Sequence, residues 1–98
     1  MNVIYGTPHY LDASAGVKLV IDNERGHKAL KDYVSEKYDF YMTTFCFYET
    51  LSALKLKWKR KEIEKEQYFK YCHKFLAKFR SKQIRNSVPL TFNYLLTN

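Results

Sequence analysis

The chain has 98 residues, of which 46% are hydrophobic and 17% aromatic, and its formal net charge is +7 at pH 7. This composition is typical of one small globular domain and excludes a collagen-like repeat or a disordered tail. No apolar stretch is long enough to cross a bilayer and the first residues do not form a signal peptide, so we expect a cytoplasmic protein without a membrane span.

The predicted elements of the first half alternate between strand and helix. A first strand includes Tyr10 and Leu11, and a short helix follows from Ala15 to Ile21. Gly26 can end that stretch or serve the turn into a second helix over residues 27–37, which carries apolar side chains at helical spacing. The aromatic run over residues 38–42 then predicts a second strand.

The second half contains two longer helices. Thr43 and Thr44 are candidate N-caps for a helix over residues 45–61. An amphipathic pattern predicts another helix over residues 63–82, with an apolar stripe of Phe69, Cys72, Phe75 or Leu76, and Phe79. A third strand is predicted over Ser87–Phe92, and the last six residues begin a further helix. The order β-α-α-β-α-α-β predicts an α/β domain with a short parallel sheet.

The positive charge is concentrated in one part of the chain. Residues 55–85 contain twelve Lys and Arg against three Glu, a local net charge of +9, and the remainder of the chain carries −2. A basic surface beside acidic residues suits a polyanion such as RNA. Lysine-rich helices that are simply well solvated give the same pattern, so both interpretations stay open.

Asp12 stands where the first strand passes into the first helix. A carboxylate is unfavourable in a strand, and one explanation is that Asp12 or Ser14 caps the helix by accepting a backbone N–H. The other explanation is chemical, because ligands of open α/β sheets bind at the carboxyl ends of strands. The sequence alone allows both.

Glu49 lies in the second turn of the helix that follows the second strand. If the two strands are parallel neighbours, Asp12 and Glu49 belong to the same edge of the sheet. An acid in a helix is often solvent-exposed, but the residues around Glu49 are apolar on nearly every side. We therefore expect a partly buried Glu49 that needs a cation, a hydrogen-bond donor or a metal ion.

The segments YLDASAGVKLVIDNERG and MTTFCFYETLSALKLKWKRKEIEKEQYFKYCHKF resemble the PIN domain, in particular the ribonuclease toxins of toxin–antitoxin pairs. The family's first acid lies in a strand-end motif like LDAS, which corresponds to Asp12, with Ser14 as the small polar residue that follows. Its second acid lies in a motif like T-x-x-x-x-E, which corresponds to Thr44 and Glu49. The resemblance covers essentially all of residues 1–98, as one domain.

This resemblance implies a three-layer PIN-like domain that acts as a metal-dependent endoribonuclease. Asp12 and Glu49 would hold Mg²⁺ or Mn²⁺, and the partners would be RNA and an antitoxin protein. The family's further acids, its last helix and its closing strands follow the third strand, but this sequence has no Asp or Glu after Phe92. We therefore expect an incomplete domain, and the alternative function is a non-catalytic oligomerising or RNA-binding remnant.

The end of the chain predicts self-association. A sheet that lacks part of its cover exposes apolar surface, so we expect a homodimer that buries Tyr94, Leu95 and Leu96.

The cysteines and histidines do not form a metal motif. Cys46 and Cys72 are far apart and fit small core hydrophobes in a reducing compartment. The three histidines, His9, His27 and His73, do not lie at metal-ligand spacing from these cysteines. We expect the histidines to have packing or surface roles.

Overall fold

The computed structural model describes residues 8–34 and 39–86, and this part of the chain confirms the predicted element order. Its elements are β1 Pro8–Tyr10, α1 Ala13–Val20, α2 His27–Val34, β2 Asp39–Met42, α3 Thr44–Lys59, α4 Lys65–Arg80 and β3 Arg85–Asn86. The α/β class predicted from the sequence is therefore correct.

The three strands form one parallel sheet in the order β1-β2-β3. Tyr41 in the central strand pairs with Tyr10 on one side and with Arg85 on the other. The backbone N–H of Leu11 also donates to the carbonyl of Tyr41 at 2.8 Å. Because the strands are parallel, α1 and α3 both begin at the edge of the sheet where β1 and β2 end.

Capping explains where α3 begins. Thr43 has an extended backbone, and its hydroxyl accepts the N–H of Cys46 at 3.1 Å, so Thr43 is the N-cap and Thr44 the first helical residue. Of the two threonines predicted as caps, the first therefore fills that role.

The elements differ from the prediction by a few residues at their ends: β1 ends at Tyr10 rather than Leu11, and α1 begins at Ala13 rather than Ala15. Helix α4 is shorter than the predicted residues 63–82 at both ends. Strand β3 has two residues and precedes the predicted strand Ser87–Phe92, which lies outside the described residues.

Helices α3 and α4 end in the same way, each with a lysine in the left-handed region. Lys61 has φ 62° and Lys82 has φ 63°. At the first of these turns the N–H of Lys61 donates to Trp58 and that of Glu62 to Lys57, each at 2.9 Å. These paired bonds form a Schellman motif, in which the left-handed position is usually glycine.

The helices enclose one hydrophobic core with the sheet. Phe40 and Met42 in β2 are buried together with Phe47 of α3 and Phe75 of α4. The rings of Phe47 and Phe75 stack with their centroids 5.4 Å apart. On the other side of the sheet Tyr10 is 64% exposed. The third layer that the PIN resemblance implies is not among the described residues, and it stays a prediction.

The two cysteines pack against the core, whereas Phe69 of α4 is exposed. Cys46 and Cys72 are free thiols that pack, half-buried, against the core, as expected. The sequence pattern predicts Phe69 on the apolar stripe of α4, but its side chain is 48% exposed, and the buried residues of that helix are Tyr71 and Phe75. The helical phase that buries Tyr71 and Phe75 turns Phe69 outward.

No helix in the described part of the chain has the length and apolar character that a membrane crossing requires. The residues expected to form a dimer contact, Tyr94, Leu95 and Leu96, lie outside the described residues.

Candidate functional site

Helices α1 and α3 pack closely where Gly16 meets Thr50. A Cβ atom added to Gly16 would lie 2.5 Å from Thr50 Oγ1 and 3.2 Å from the Met42 methyl group. Thr50 is fully buried, and its hydroxyl donates to the carbonyl of Cys46 at 2.8 Å. Only glycine permits this approach, which brings the first turn of α1 beside the second turn of α3.

Asp12 is the N-cap of α1. Its Oδ1 accepts the N–H of Ala15 at 2.9 Å, which satisfies one of the free donors of the first turn. The carboxylate is also exposed to solvent. The capping interpretation is therefore confirmed, and the cap leaves Asp12 accessible to a ligand.

Asp12 also lines an open groove of about 440 Å³ between α1 and α2. Ser14 and Lys18 of α1 line the same groove, with Leu30 and Tyr33 of α2 opposite. The structure thus brings Asp12 and Ser14 together at one opening, whereas Thr44 and Glu49 do not contribute to its lining.

Glu49 is exposed, so the expectation of a partly buried acid is wrong. Its apolar neighbours do not all face the core: Phe45 is 70% exposed and Tyr48 36%. Helix α3 buries its Phe47 and Thr50 instead, which leaves the side that carries Glu49 in solvent. Within the described residues the Glu49 carboxylate has no ion pair or hydrogen bond, so it too is accessible.

Thr44 is buried and connects α3 with β3. Its hydroxyl accepts a hydrogen bond from the Asn86 amide at 3.5 Å, a long contact between the start of α3 and the end of β3. Asn86 thus adds a polar side chain to the edge near which Asp12 and Thr43 lie. Sequence reasoning missed Asn86 because it placed the third strand after it.

The acids of the loop after α1 are used in ion pairs. Asp22 accepts from the ammonium of Lys74 at 3.0 Å and lies 3.7 Å from the His27 ring, while Glu24 lies 3.9 Å from Lys57. Hydrogen bonding to Lys74, with the charge of that lysine, lowers the pKa of Asp22. These contacts tie the loop to α3 and α4, and they distinguish Asp22 and Glu24 from Asp12 and Glu49, which form no ion pair with described residues.

The histidines have the packing and surface roles expected. His9 contacts the Tyr33 hydroxyl through Nδ1 at 3.1 Å and lies against the Phe40 ring, and the His27 ring contacts the Lys18 carbonyl at 2.6 Å. His73 is exposed. Across residues 8–34 and 39–86, no three His, Cys, Asp or Glu side chains are grouped closely enough to hold a metal ion.

The chain was also compared with models of known protein families, with curated proteins and with solved structures, and none of these comparisons finds a match.

Proposed function

We propose that the protein is a metal-dependent endoribonuclease of the PIN-domain toxin type. The observation that carries this proposal is the common origin of α1 and α3 at one edge of the parallel sheet. Asp12 precedes α1, Glu49 lies in the second turn of α3, and the two helices touch at Gly16 and Thr50. Both carboxylates are exposed and make no ion pair with described residues.

The donor chemistry suits a hard divalent cation. Mg²⁺ and Mn²⁺ prefer carboxylate oxygens and keep several waters, so Asp12 and Glu49 would hold such an ion with positions left for water and phosphate. A bound ion supplies a water of lowered pKa and offsets the charge that develops on a phosphodiester. Asp12 Oδ1 already accepts the Ala15 N–H, which fixes the orientation of the carboxylate.

The remaining parts of the proposal follow from the same resemblance. RNA is the substrate, an antitoxin protein is the natural inhibitor, and the active form is a cytoplasmic homodimer. The excess of cations between residues 55 and 85 supports a polyanionic substrate.

RNA cleavage with the purified protein tests this function. We expect cleavage of a mixed-sequence RNA in Mn²⁺ that is abolished by EDTA, by Asp12→Asn and by Glu49→Gln. Asparagine is as good an N-cap as aspartate, so Asp12→Asn should leave the fold unchanged. Glu66→Gln removes one exposed acid from the first turn of α4 and is the matched control. Cleavage that persists in both site variants would contradict the proposal.

A second candidate is a non-catalytic RNA-binding remnant of the same domain. It is favoured by the absence of a third metal-ligating side chain near Asp12 and Glu49 among the described residues. Binding of RNA without metal-dependent cleavage would support this candidate over the first.

A further inference from the structure

Three aromatic side chains cluster at the connection between α3 and α4. The Trp58 ring stacks on Tyr68 with centroids 5.1 Å apart and planes at 21°, and it lies 6.5 Å from the Phe69 ring. Phe69 is nearly half exposed, although it is one of the larger apolar side chains. The cluster therefore joins the two helices and also presents aromatic surface to solvent.

Lysines surround this aromatic cluster. The Lys59 ammonium lies 5.9 Å from the Trp58 ring centre, and the Lys65 ammonium lies 6.0 Å from that of Phe69. An open groove of about 450 Å³ lies beside the cluster. It is lined by Trp58 and Ile63 and by three lysines, Lys59, Lys61 and Lys65. One acid, Glu64, also lines it, so cations outnumber anions there by three to one.

The turn geometry holds the third lysine in place. Lys61 occupies the left-handed position of the Schellman motif that ends α3, where its backbone N–H donates a hydrogen bond to the carbonyl of Trp58. Glycine would fit that position with less strain, but it would remove the cation. The backbone thus holds a lysine where conformational preference alone would favour glycine.

We propose that Trp58, Phe69, Lys59, Lys61 and Lys65, here called the α3–α4 surface, bind single-stranded RNA. Aromatic rings stack on bases of any sequence, and lysines track the phosphates, which is how sequence-tolerant single-strand sites are built. The identity of the ligand as RNA rests on the proposed function. The site itself is separate from Asp12 and Glu49, and it would hold the RNA chain away from the point of cleavage.

The combination of lysines with aromatic rings favours a nucleic acid over a protein as the occupant. An acidic peptide would pair with the lysines but would not use the stacking capacity of Trp58. A nucleic acid uses both, because each phosphate is accompanied by a base. The experiment must therefore distinguish RNA from an acidic protein partner.

Binding is measured by fluorescence anisotropy with labelled oligouridine in EDTA, so that cleavage does not contribute. The test variant is Lys59→Gln, Lys61→Asn, Lys65→Gln. The control is Lys31→Gln, Lys70→Gln, Lys82→Asn, which removes three exposed lysines elsewhere, one of them also at a positive φ. We expect the test variant to lose on the order of tenfold in affinity and about two units of slope in log K against log salt concentration, and the control much less.

Trp58 also provides a direct signal because it is the single tryptophan of the chain. Oligouridine should quench its fluorescence, whereas inorganic polyphosphate and polyglutamate, which lack bases, should bind without the same quenching.

Equal affinity losses in the two triple variants would show that net charge alone binds RNA and would overturn the proposal. Absence of quenching by oligouridine, or equally tight binding of polyglutamate, would also overturn it. Metal-dependent cleavage with unchanged RNA affinity in the test variant would refute the α3–α4 surface and leave the proposed nuclease function standing.

Discussion

Gly16 of α1 lies against Thr50 of α3 so closely that a methyl group on the glycine would stand 2.5 Å from the threonine hydroxyl. This contact fixes how near the two helices approach one another. Asp12 is one helical turn before Gly16, and Glu49 directly precedes Thr50. The spacing of the two candidate metal ligands therefore depends on a glycine that makes no contact with a metal itself.

Gly16→Ala should destabilise the protein by about 1–3 kcal/mol, because the gain in helix propensity is smaller than the cost of separating two packed helices. Chemical denaturation measures the change in unfolding free energy. The matched variant is Thr50→Ala, which removes the two threonine atoms that the new methyl would meet. The double variant should be more stable than the sum of the single effects predicts, and strict additivity would contradict this packing.

The N-capping role of Asp12 should be separable from its proposed role as a metal ligand. Asp12→Ala removes the N-cap and should cost about 1 kcal/mol, whereas Asp12→Asn should be nearly neutral because the amide oxygen can still accept the Ala15 N–H. Thermal and urea unfolding of the three proteins give the comparison. Equal destabilisation by alanine and asparagine would refute the capping role.

Replacing Lys61 or Lys82 by glycine should stabilise the fold. Each lysine has a positive φ at the end of a helix, a conformation that costs a non-glycine residue about 1 kcal/mol, partly offset by the greater freedom of glycine in the unfolded chain. A gain of about 0.5 kcal/mol in each variant is expected from urea unfolding. Lys55→Gly in the interior of α3 is the control and should destabilise instead.

The Asp22–Lys74 pair should be visible in a pH titration. The pKa of Asp22 is lowered, so this carboxylate stabilises the fold above its unfolded pKa, and the contribution is lost as the pH falls through the folded pKa. NMR of the side-chain carboxyl should show titration below the ordinary aspartate value. Lys74→Gln should raise the midpoint, whereas Lys28→Gln, which disrupts the separate pair with Asp32, should leave it in place.

The element order could be predicted because each helix and strand carries its own local signal. Thr43 at the start of α3 and the lysine-lined amphipathic pattern of α4 are such signals, and the structure agrees with both. The predicted third strand does not include Arg85 and Asn86, because both are polar and have no strand pattern of their own. Pairing with β2, a tertiary effect, makes them a strand.

Burial was harder to predict than the elements themselves. The run from Phe45 to Tyr48 is apolar or aromatic throughout, but a helix of this length can bury only one side, and Phe47 occupies it. Glu49 consequently lies in solvent. The exposure of Phe69 has the same cause, because an apolar pattern identifies the helix but does not show which of its apolar side chains meets the core.

The central claim is that Asp12 and Glu49 hold one divalent cation, and Mn²⁺ binding tests it without reference to activity. Paramagnetic broadening in ¹⁵N-resolved NMR spectra should appear first at the amides that follow Asp12 and around Glu49. It should weaken sharply in Asp12→Asn and in Glu49→Gln but not in Glu66→Gln. Broadening centred on Asp22 and Glu24, or unchanged in both site variants, would contradict the claim.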